Sequence, residues 1–412
     1  MRKATIVLCF ISFMAVLAGP AGAQVAIEPE GMLETVKFLS GAEFLGRGIG
    51  TPELDRAAAF IASRFEAVGL LPGGSANGSW FQEWTDPETN IRMRNVVGVL
   101  PGRNPELARE SVVIGAHYDH LGTKGASKEN AGKVHPGADD NASGVAVLLE
   151  LASRLPLVAN MERSVVFVAF TGEEEGRKGS RQYVRNEKRY PLSKVAGMIN
   201  LDTVGRLGKG KLIILGSGSA KEWSSILQET AKHLKLEIAE STQDLDASDQ
   251  KSFHEAGAPA VQLFTGPHGD YHRPTDSLDK IDGKGLAKVA TVARAVAFTL
   301  ANLPGMLTRT IAASPGPVTA APNADRKVTL GIVPDFTYNG QGVRLGGISP
   351  DGPVEKAGLR TGDVVIQAGT TPIAVLKDLS DVLKTKQPGD WLSLRFLRNG
   401  KEMKADVELR ER

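Results

Sequence analysis

Two aspartates and an asparagine stand side by side between glycines in the segment Gly137-Ala138-Asp139-Asp140-Asn141-Ala142-Ser143-Gly144. Carboxylates held this close together repel one another unless a cation lies between them. Asp and Asn are also ordinary turn residues, so this segment alone is equally compatible with a metal site and with a solvated turn. The choice between the two depends on where the other ionisable residues fall.

Four more groups of ionisable residues each follow an apolar run that is typical of a strand. They are His117-Tyr118-Asp119-His120 after residues 112–114, Glu173-Glu174-Glu175 after 165–170, Asp202 after 198–201, and a segment ending His272-Arg273-Pro274-Thr275-Asp276 after 261–264. A single histidine or a run of glutamates is usually a solvated surface feature. Five such loops at one sheet edge favour a metal site instead. Histidine and carboxylates without cysteine indicate hydrolytic zinc, with manganese or cobalt as alternatives, and the surplus of carboxylates suits two cations sharing one bridge.

The elements that must position these loops alternate between strands and helices. Short β-branched runs such as residues 96–100 and 165–170 predict strands, and apolar residues at helical spacing predict helices at 54–68 and 285–302. This alternation predicts an α/β domain whose mostly parallel, twisted sheet is sandwiched between helices. In that architecture ligands bind at the carboxyl ends of the strands, where the five polar loops fall.

The N-terminal segment has the pattern of a secretory signal. Arg2 and Lys3 precede an apolar run over residues 4–17, and Ala21-Gly22-Ala23 predicts cleavage before Gln24. The run is shorter than the ~20 residues that a membrane span needs. We therefore expect a secreted or periplasmic protein without a membrane span.

Charge and cysteine content narrow the partners further. Loss of residues 1–23 removes two basic and no acidic residues, so the net charge falls from +2 to 0 and gives no reason to expect a nucleic-acid partner. The single cysteine, Cys9, leaves with the signal. Any metal ligands must then be histidines and carboxylates.

Composition predicts four regions along the chain. Residues 1–23 are the signal, 24–303 a large catalytic domain, 304–327 a Pro/Gly/Ala-rich linker, and 328–412 a small domain of strands and helices.

The five loops resemble the motifs of the co-catalytic di-zinc exopeptidases, which include bacterial leucyl aminopeptidases and glutamate carboxypeptidase. The resemblance covers roughly residues 30–300. It implies two zinc ions per chain. In that family the matching positions are ligands: His117 and Asp202 on one ion, Glu174 and His272 on the other, and Asp140 bridging both.

The same resemblance implies the supporting roles. Glu173 matches the general base, and Asp119 matches the carboxylate that orients the imidazole of the first ligand. Asp276 has a comparable place after His272. An unusual backbone is expected at Asp140-Asn141, with the cis peptide seen in relatives. The loop Ser248-Asp249-Gln250 departs from the pattern, because relatives often have histidine at the third position.

The C-terminal region resembles a PDZ domain of the type found in bacterial proteases. Gly331-Ile332-Val333 matches its carboxylate-binding loop, and residues 346–365 match its central segment. Such domains bind a peptide as an added strand and capture its terminal carboxylate. The alternative is a domain that only packs against the catalytic unit. The remaining histidines His120, His135, His254 and His268 are interpreted as surface or pocket-wall residues.

Together these features predict a secreted di-zinc aminopeptidase that acts on peptides, with a PDZ domain that docks a peptide or a protein C-terminus. Within enzymes, the alternatives are a carboxypeptidase or dipeptidase and a glutaminyl cyclase. The cyclase is disfavoured because both sets of ligands and the Glu173-Glu174 pair are present. The alternative outside enzymes is a non-catalytic zinc-containing PDZ binding protein.

Overall fold

The computed structural model describes residues 26–125, 130–157, 161–187, 189–312, 327–338, 340–349 and 351–411. The predicted signal, residues 1–23, lies outside the described residues. Among the helices that are described, none combines the length and the apolar character needed to cross a bilayer.

Within the described residues, seven α-helices belong to the N-terminal domain. They are α1 (Glu30–Leu39), α2 (Pro52–Ala67), α3 (Gly144–Arg154), α4 (Lys178–Asn186), α5 (Trp223–Leu234), α6 (Gln250–Glu255) and α7 (Gly283–Asn302). The start of α2 shows how the sequence fixes an element: Thr51 Oγ1 accepts a hydrogen bond from the Leu54 amide at 3.3 Å, and Pro52 takes the first helical position.

Nine strands form one sheet within the described part of this domain. They are β1 (Leu71–Pro72), β2 (Phe81–Thr85), β3 (Arg92–Leu100), β4 (Ser111–His117), β5 (Ser164–Phe170), β6 (Val195–Leu201), β7 (Leu212–Leu215), β8 (Ile238–Ser241) and β9 (Ala260–Phe264). The spatial order is β1-β3-β5-β4-β6-β9-β7-β8, with β2 also paired to β3. The central strands β5, β4, β6 and β9 are parallel to one another, while β3 and β7 join them antiparallel.

The predicted α/β fold is confirmed, and the antiparallel strands are confined to the two sides of a parallel centre. Successive residues of the central strands enter different cores: Val112 and Ile114 pack among α1, α2, α3, α5 and α7, whereas Val113 packs with Tyr183 of α4 and Phe253 of α6. Burial on both faces explains why these strands read as continuous apolar runs.

The structure describes the segment between the two domains up to residue 312. Leu307 is 4% exposed and belongs to the main core, and the Lys221 amide donates to the Thr308 carbonyl at 3.0 Å. Residues 304–310 therefore pack on the N-terminal domain, although the sequence reads as linker from 304. Residues 313–326 of the predicted linker lie outside the described residues.

The C-terminal domain has its own apolar core, which includes Leu345, Leu379, Leu394 and Phe396. Its elements are β10 (Val328–Thr329), β11 (Ile332–Pro334), β12 (Val343–Ile348), α8 (Pro353–Lys356), β13 (Val364–Ala368), β14 (Thr371–Pro372), α9 (Leu376–Lys384), β15 (Trp391–Arg398), β16 (Lys401–Glu408) and β17 (Arg410–Glu411). The larger sheet has the order β11-β12-β13-β15-β16, with β14 paired to β13, so β11 is an edge strand. Strands β10 and β17 pair separately.

Candidate metal centre

The parallel centre of the sheet brings the predicted site residues to one edge. His117 is the last residue of β4, Glu173 and Glu174 follow β5, and Asp202 follows β6. His272 lies in the loop after β9. Because these four strands are neighbours and run in the same direction, their carboxyl ends must meet.

Asp140 lies at the centre of this cluster, with its two oxygens facing histidines from different loops. Oδ1 is 3.2 Å from His117 Nε2, and Oδ2 is 3.1 Å from His272 Nε2. His117 Nε2 is also 3.5 Å from Asp202 Oδ1. Burial by itself would raise the pKa of Asp140, but the neighbouring His120, His117 and His272 hold that pKa well below its usual range.

Glu174 occupies the other side of the cluster. Its Oε2 is 3.2 Å from His272 Nε2, and its Oε1 is 2.7 Å from His120 Nδ1. Burial opposes ionisation, yet the charge of His272 and the hydrogen bonds from both histidines lower the pKa of Glu174 to about 2. Burial likewise opposes protonation of His272, but Glu174 and Asp140 raise its pKa to about 10.

The structure thus brings all five predicted ligands together, and their coordination of a metal stays a prediction. It adds His120, which the sequence analysis placed on the surface or a pocket wall. His120 is 1% exposed, and its ring stands edge-on to that of His272 at 5.8 Å between centroids. In the sequence, only its position three residues after His117 pointed to this residue. The direction of the His120 side chain depends on the turn that follows β4.

The loop that carries Asp140 is held by hydrogen bonds of the neighbouring Asn141. Asn141 Nδ2 donates to the Leu201 carbonyl at 2.9 Å, directly before Asp202, and Asn141 Oδ1 accepts from the Gly144 amide at 3.0 Å. The peptide bond between Asp140 and Asn141 is cis, as the resemblance implied. The flanking glycines leave no room for side chains: a Cβ on Gly144 would lie 2.3 Å from Asn141 Oδ1.

Asp276 supports the bridging residue rather than His272. Its Oδ2 accepts hydrogen bonds from the amides of Asp139 and Asp140, each at 3.0 Å. Its Oδ1 accepts from Arg206 Nη2 at 2.9 Å, and Arg206 Nη1 donates to Asp270 at 3.0 Å. Since Asp270 and Asp276 bracket His272, Arg206 joins the His272 loop to the Asp140 loop.

Asp119 lies behind His117 and is fully buried. The His117 Nδ1 atom is 3.1 Å from the Asp119 backbone carbonyl and 3.8 Å from its carboxylate. The carboxylate accepts hydrogen bonds from the amides of Glu173 at 3.2 Å and Glu174 at 3.4 Å. Burial raises the pKa of Asp119 to about 7, against the lowering effect of His117. Asp119 therefore ties the first histidine to the glutamate pair, whereas the resemblance implied a contact through the carboxylate alone.

Glu173 differs from the other carboxylates of the cluster because its side chain is free. It is partly exposed, and its carboxylate makes no hydrogen bond within the described residues. Burial raises the pKa of Glu173 well above its usual value, in spite of the opposing charge of His117, and the nearby Asp249 and Glu174 add to the rise. A carboxylate with these properties can accept and hold a proton.

One supporting residue, Arg47, was missed by the sequence analysis. Its side chain is fully buried, and its guanidinium donates to the backbone carbonyls of Tyr118 at 3.0 Å, Pro136 at 2.8 Å, Gly137 at 2.9 Å and Leu39. Burial lowers the pKa of Arg47 to about 10, although Asp140 and Asp119 oppose that shift. It therefore fastens the loop of His117 to the loop of Asp140. The available signal was an arginine between glycines, Gly46-Arg47-Gly48.

The other histidines make contacts of their own. His268 Nε2 lies 3.0 Å from Asp139 Oδ2. His254 lies between Asp244 at 2.8 Å and the Ala260 carbonyl at 2.9 Å. His135 is fully buried, 6.5 Å from the His120 ring. His135 and His254 are thus interior residues of the domain.

The donor set fits two zinc ions. In each of two groups, His117-Asp140-Asp202 and His120-Asp140-Glu174, one donor atom per residue lies within 4.8 Å of the others, and Asp140 belongs to both. Three protein donors with an open position are what catalytic zinc sites use. The Oδ2 atom of Asp140 is also buried without a well-formed hydrogen bond within the described residues, which a buried carboxylate oxygen rarely is.

Comparison with known proteins finds a family match in each of the two domains. A family model described as "Peptidase family M28" matches residues 95–297, and one described as "PDZ domain" matches residues 328–409. Aminopeptidase YwaD of Bacillus subtilis is 29% identical over 51% of this chain and 45% of its own length. A probable leucine aminopeptidase of Arthroderma otae is 30% identical over 46% of this chain and 50% of its own length. The chain therefore matches about half the length of these relatives.

Solved structures share the fold. An aminopeptidase from Aneurinibacillus sp. strain AM-1 has a TM-score of 0.55 at 19% identity, over 70% of this chain and 97% of that chain. A glutaminyl cyclase from Porphyromonas gingivalis also has a TM-score of 0.55, at 20% identity, over 66% of this chain and 98% of that chain. At these identities the likeness concerns the fold alone.

Proposed function

We propose that this chain is a di-zinc aminopeptidase of peptidase family M28, whose model matches residues 95–297, with a PDZ domain that follows at residues 328–409. It removes N-terminal residues from peptides. The named relatives, aminopeptidase YwaD and the probable leucine aminopeptidase, support this reaction.

The arrangement of Asp140 carries the proposal. One of its oxygens faces His117 and the other faces His272, at 3.2 and 3.1 Å, so a single carboxylate serves both groups of donors. A structural zinc site is closed by four protein ligands and needs no such sharing. Two cations that share a carboxylate are typical of hydrolytic sites, including those of aminopeptidases.

The residues divide the work as follows. When bound, the two zinc ions supply a water whose pKa is lowered to about 7 and polarise the carbonyl of the scissile bond. Five side chains would hold them, with His120 beside Glu174: His117, Asp202, Asp140, Glu174 and His272. Glu173, which is free and next to a ligand, accepts the proton of the attacking water and passes it to the leaving amine. Asp119 fixes the backbone of Glu173 and Glu174 so that base and ligand keep their separation.

A panel of peptides with free and acetylated N-termini tests the substrate class. We expect shortening from the N-terminus for free peptides and none for acetylated ones. Cleavage that ignores acetylation would point to the carboxypeptidase alternative. N-terminal glutaminyl peptides that lose ammonia without shortening would identify a cyclase. Metal content of about two zinc ions per chain with no turnover of any peptide would support the binding-protein alternative.

The substitution Glu173→Gln tests the general base. It should keep the zinc content and reduce kcat by about 10²–10⁴-fold, the range of a positioned proton-transfer group. Glu175→Gln is the matched control, because Glu175 is exposed and pairs with Lys124 at 3.2 Å. Near-normal turnover of the Glu173→Gln variant, with zinc retained, would remove Glu173 from this role.

Two further proposals concern location and docking. We propose export through the signal over residues 1–23, and N-terminal sequencing of the mature protein should then begin at Gln24. An intact Met1 in the exported fraction would contradict this.

We also propose that the PDZ domain binds free peptide C-termini. Binding of a labelled peptide should therefore require its terminal carboxylate, and equal binding of the amidated peptide would exclude carboxylate capture.

A further inference from the structure

The PDZ domain rests on loops that belong to the metal centre. The ring of Phe336, just after β11, meets the ring of Phe264 edge-on at 5.6 Å between centroids. Phe264 is the last residue of β9, and the loop that follows it carries His272. One residue earlier, the Leu263 carbonyl lies 3.4 Å from the amide of Asp202, for which it is the hydrogen-bond acceptor. The domain contact is therefore eight residues before the predicted ligand His272 and one residue after a backbone hydrogen bond to the predicted ligand Asp202.

A second contact leads toward the proposed base. Gln243 Nε2 donates to the Tyr338 carbonyl at 3.3 Å, so the loop after β8 lies against the PDZ domain. In the same loop, Asp246 pairs with the buried Arg177 at 3.0 Å. The Arg177 amide donates to the Glu173 carbonyl at 2.8 Å. The loop after β9 thus carries a predicted ligand, and the loop after β8 is linked through Arg177 to the backbone of Glu173.

The edge of β11 that faces away from β12 is available for an added strand. The Ser349 amide donates to the Gly331 carbonyl at 2.9 Å, and Ile332 is opposite Ile348 in the ladder. Because hydrogen-bonded and non-hydrogen-bonded pairs alternate along an antiparallel ladder, the N–H and C=O groups of Ile332 point outward. Within the described residues no strand pairs with this edge.

The direction of this edge links it to the peptidase domain. A terminal carboxylate captured at Gly331-Ile332 leaves the rest of the peptide to follow β11 toward Pro334. At that end Pro334 and Leu376, the first residue of α9, line a cleft together with Gln243 and Leu245 of the peptidase domain. A peptide leaving the PDZ groove therefore arrives at the loop that leads to Asp246 and Asp249, with its N-terminus ahead.

We propose that a single peptide substrate occupies both sites, its C-terminal carboxylate in the PDZ loop and its N-terminus at the metal centre. The preferred substrates are then extended peptides with both termini free and long enough to span the two sites. This inference depends on the aminopeptidase activity proposed above. Anchoring one end makes binding of the other intramolecular, at an effective concentration that reaches the millimolar range for short flexible connections.

A length series of one peptide, prepared with free and amidated C-termini, tests this. Below a threshold length the two forms should have equal kcat/KM. Above it the amidated form should have a KM about tenfold higher or more, with kcat unchanged. Equal kcat/KM for both forms at every length would overturn the proposal. Turnover of the shortest peptides reports separately on the aminopeptidase activity, so the two proposals can fail independently.

A competition experiment identifies the anchoring site. A long N-acetylated peptide with a free C-terminus should inhibit cleavage of long substrates and leave dipeptide cleavage unaffected, and its amidated form should inhibit neither. Equal inhibition of dipeptide cleavage would place the inhibitor at the metal centre and contradict anchoring by the PDZ domain.

The domain contact itself is tested by Phe336→Ala, which removes the ring that meets Phe264. We expect the advantage of long free peptides over amidated ones to fall severalfold, because the groove loses its fixed direction. The matched control is Trp391→Ala, since Trp391 is an aromatic residue on β15 of the same domain and is 66% exposed. An undiminished advantage in the Phe336→Ala variant would show that the orientation in this structure does not guide the substrate.

Discussion

In the PDZ domain the buried carboxylate Asp363 has a full countercharge, since Arg398 contacts it at 2.7 Å and 2.9 Å. In the peptidase domain Asp119, Asp140 and Asp249 are equally buried, yet their near neighbours are histidines and further carboxylates. Neither oxygen of Asp249 has a well-formed hydrogen bond within the described residues. The buried cations nearby have other partners: Arg47 donates to backbone carbonyls, and Arg177 pairs with Asp246 and Glu255. The buried carboxylate of the PDZ domain is thus neutralised by an arginine. The buried carboxylates of the peptidase domain instead leave an excess of negative charge that a pair of cations would balance.

Removal of metal should produce the largest difference between the two domains, in their melting temperatures. A ligand present at 100–1,000 times its Kd stabilises a fold by roughly 2.7–4.1 kcal/mol. For a domain of this size that corresponds to about 5–15 °C in Tm. We therefore expect chelation to lower the melting transition of the peptidase domain by that amount in calorimetry and to leave the PDZ transition in place. Equal shifts of both transitions, or of neither, would contradict the comparison.

Arg47 should matter to the stability of the peptidase domain alone. Arg47→Met leaves up to three carbonyls without a donor, because that of Gly137 keeps the Ala142 amide; at ~1–3 kcal/mol each, the loss should reach roughly 3 kcal/mol or more. Zinc affinity, measured by competition with a chromogenic chelator, should fall as well, because the loops of His117 and Asp140 lose their shared anchor. Arg47→Lys is the control, because lysine keeps the positive charge but lacks the planar set of guanidinium donors. We expect it to recover only part of the stability. An unchanged zinc affinity in the Arg47→Met variant would limit Arg47 to a structural role.

The smallest effect is expected at Asp363. Burial would raise its pKa, but the hydrogen bonds from Arg398 and the Arg360 amide hold that pKa below its usual value. A carboxyl whose pKa is lowered by folding stabilises the fold above its unfolded pKa of about 3.9, and this contribution is lost as the pH falls. Asp363→Asn should therefore cost about 1–3 kcal/mol in urea unfolding of the PDZ domain at pH 7 and a smaller amount below pH 4. A cost that does not change with pH would assign the effect to packing.

The residues at the strand ends show how much of the site the sequence predicts. Apolar runs of three to six residues in the sequence correspond to β4, β5, β6 and β9, and parallel strands must end at the same edge. His117, Glu174 and Asp202 are each at or within four residues of a strand end, so the strand pattern nearly fixes their positions. His272 lies eight residues beyond β9. The motif resemblance was needed to single it out.

Residues that act through loop geometry could not be predicted from the pattern of strands. His120 is three residues from His117, but only the turn after β4 directs its ring to Glu174. Asp276 follows His272 in sequence yet holds the amides of Asp139 and Asp140, because the loop folds back over the bridge. Arg47 is about ninety residues from Gly137, whose carbonyl it binds. Contacts of this kind depend on the path of irregular backbone, which local patterns of apolar residues do not encode.

The PDZ domain was predicted from motif resemblance. Strand period and chain direction in the sequence by themselves determined the α/β fold and the set of loops that meet at the sheet edge. The roles of those loops as a zinc centre follow from resemblance and are what the metal and Glu173 measurements test. Only the tertiary structure decided that Asp140 faces both groups of donors and that His120 joins one of them. It alone also showed that Phe336 and Tyr338 of the PDZ domain contact β9 and the loop after β8. These features arise from contacts between segments far apart in the chain, which local sequence patterns do not encode.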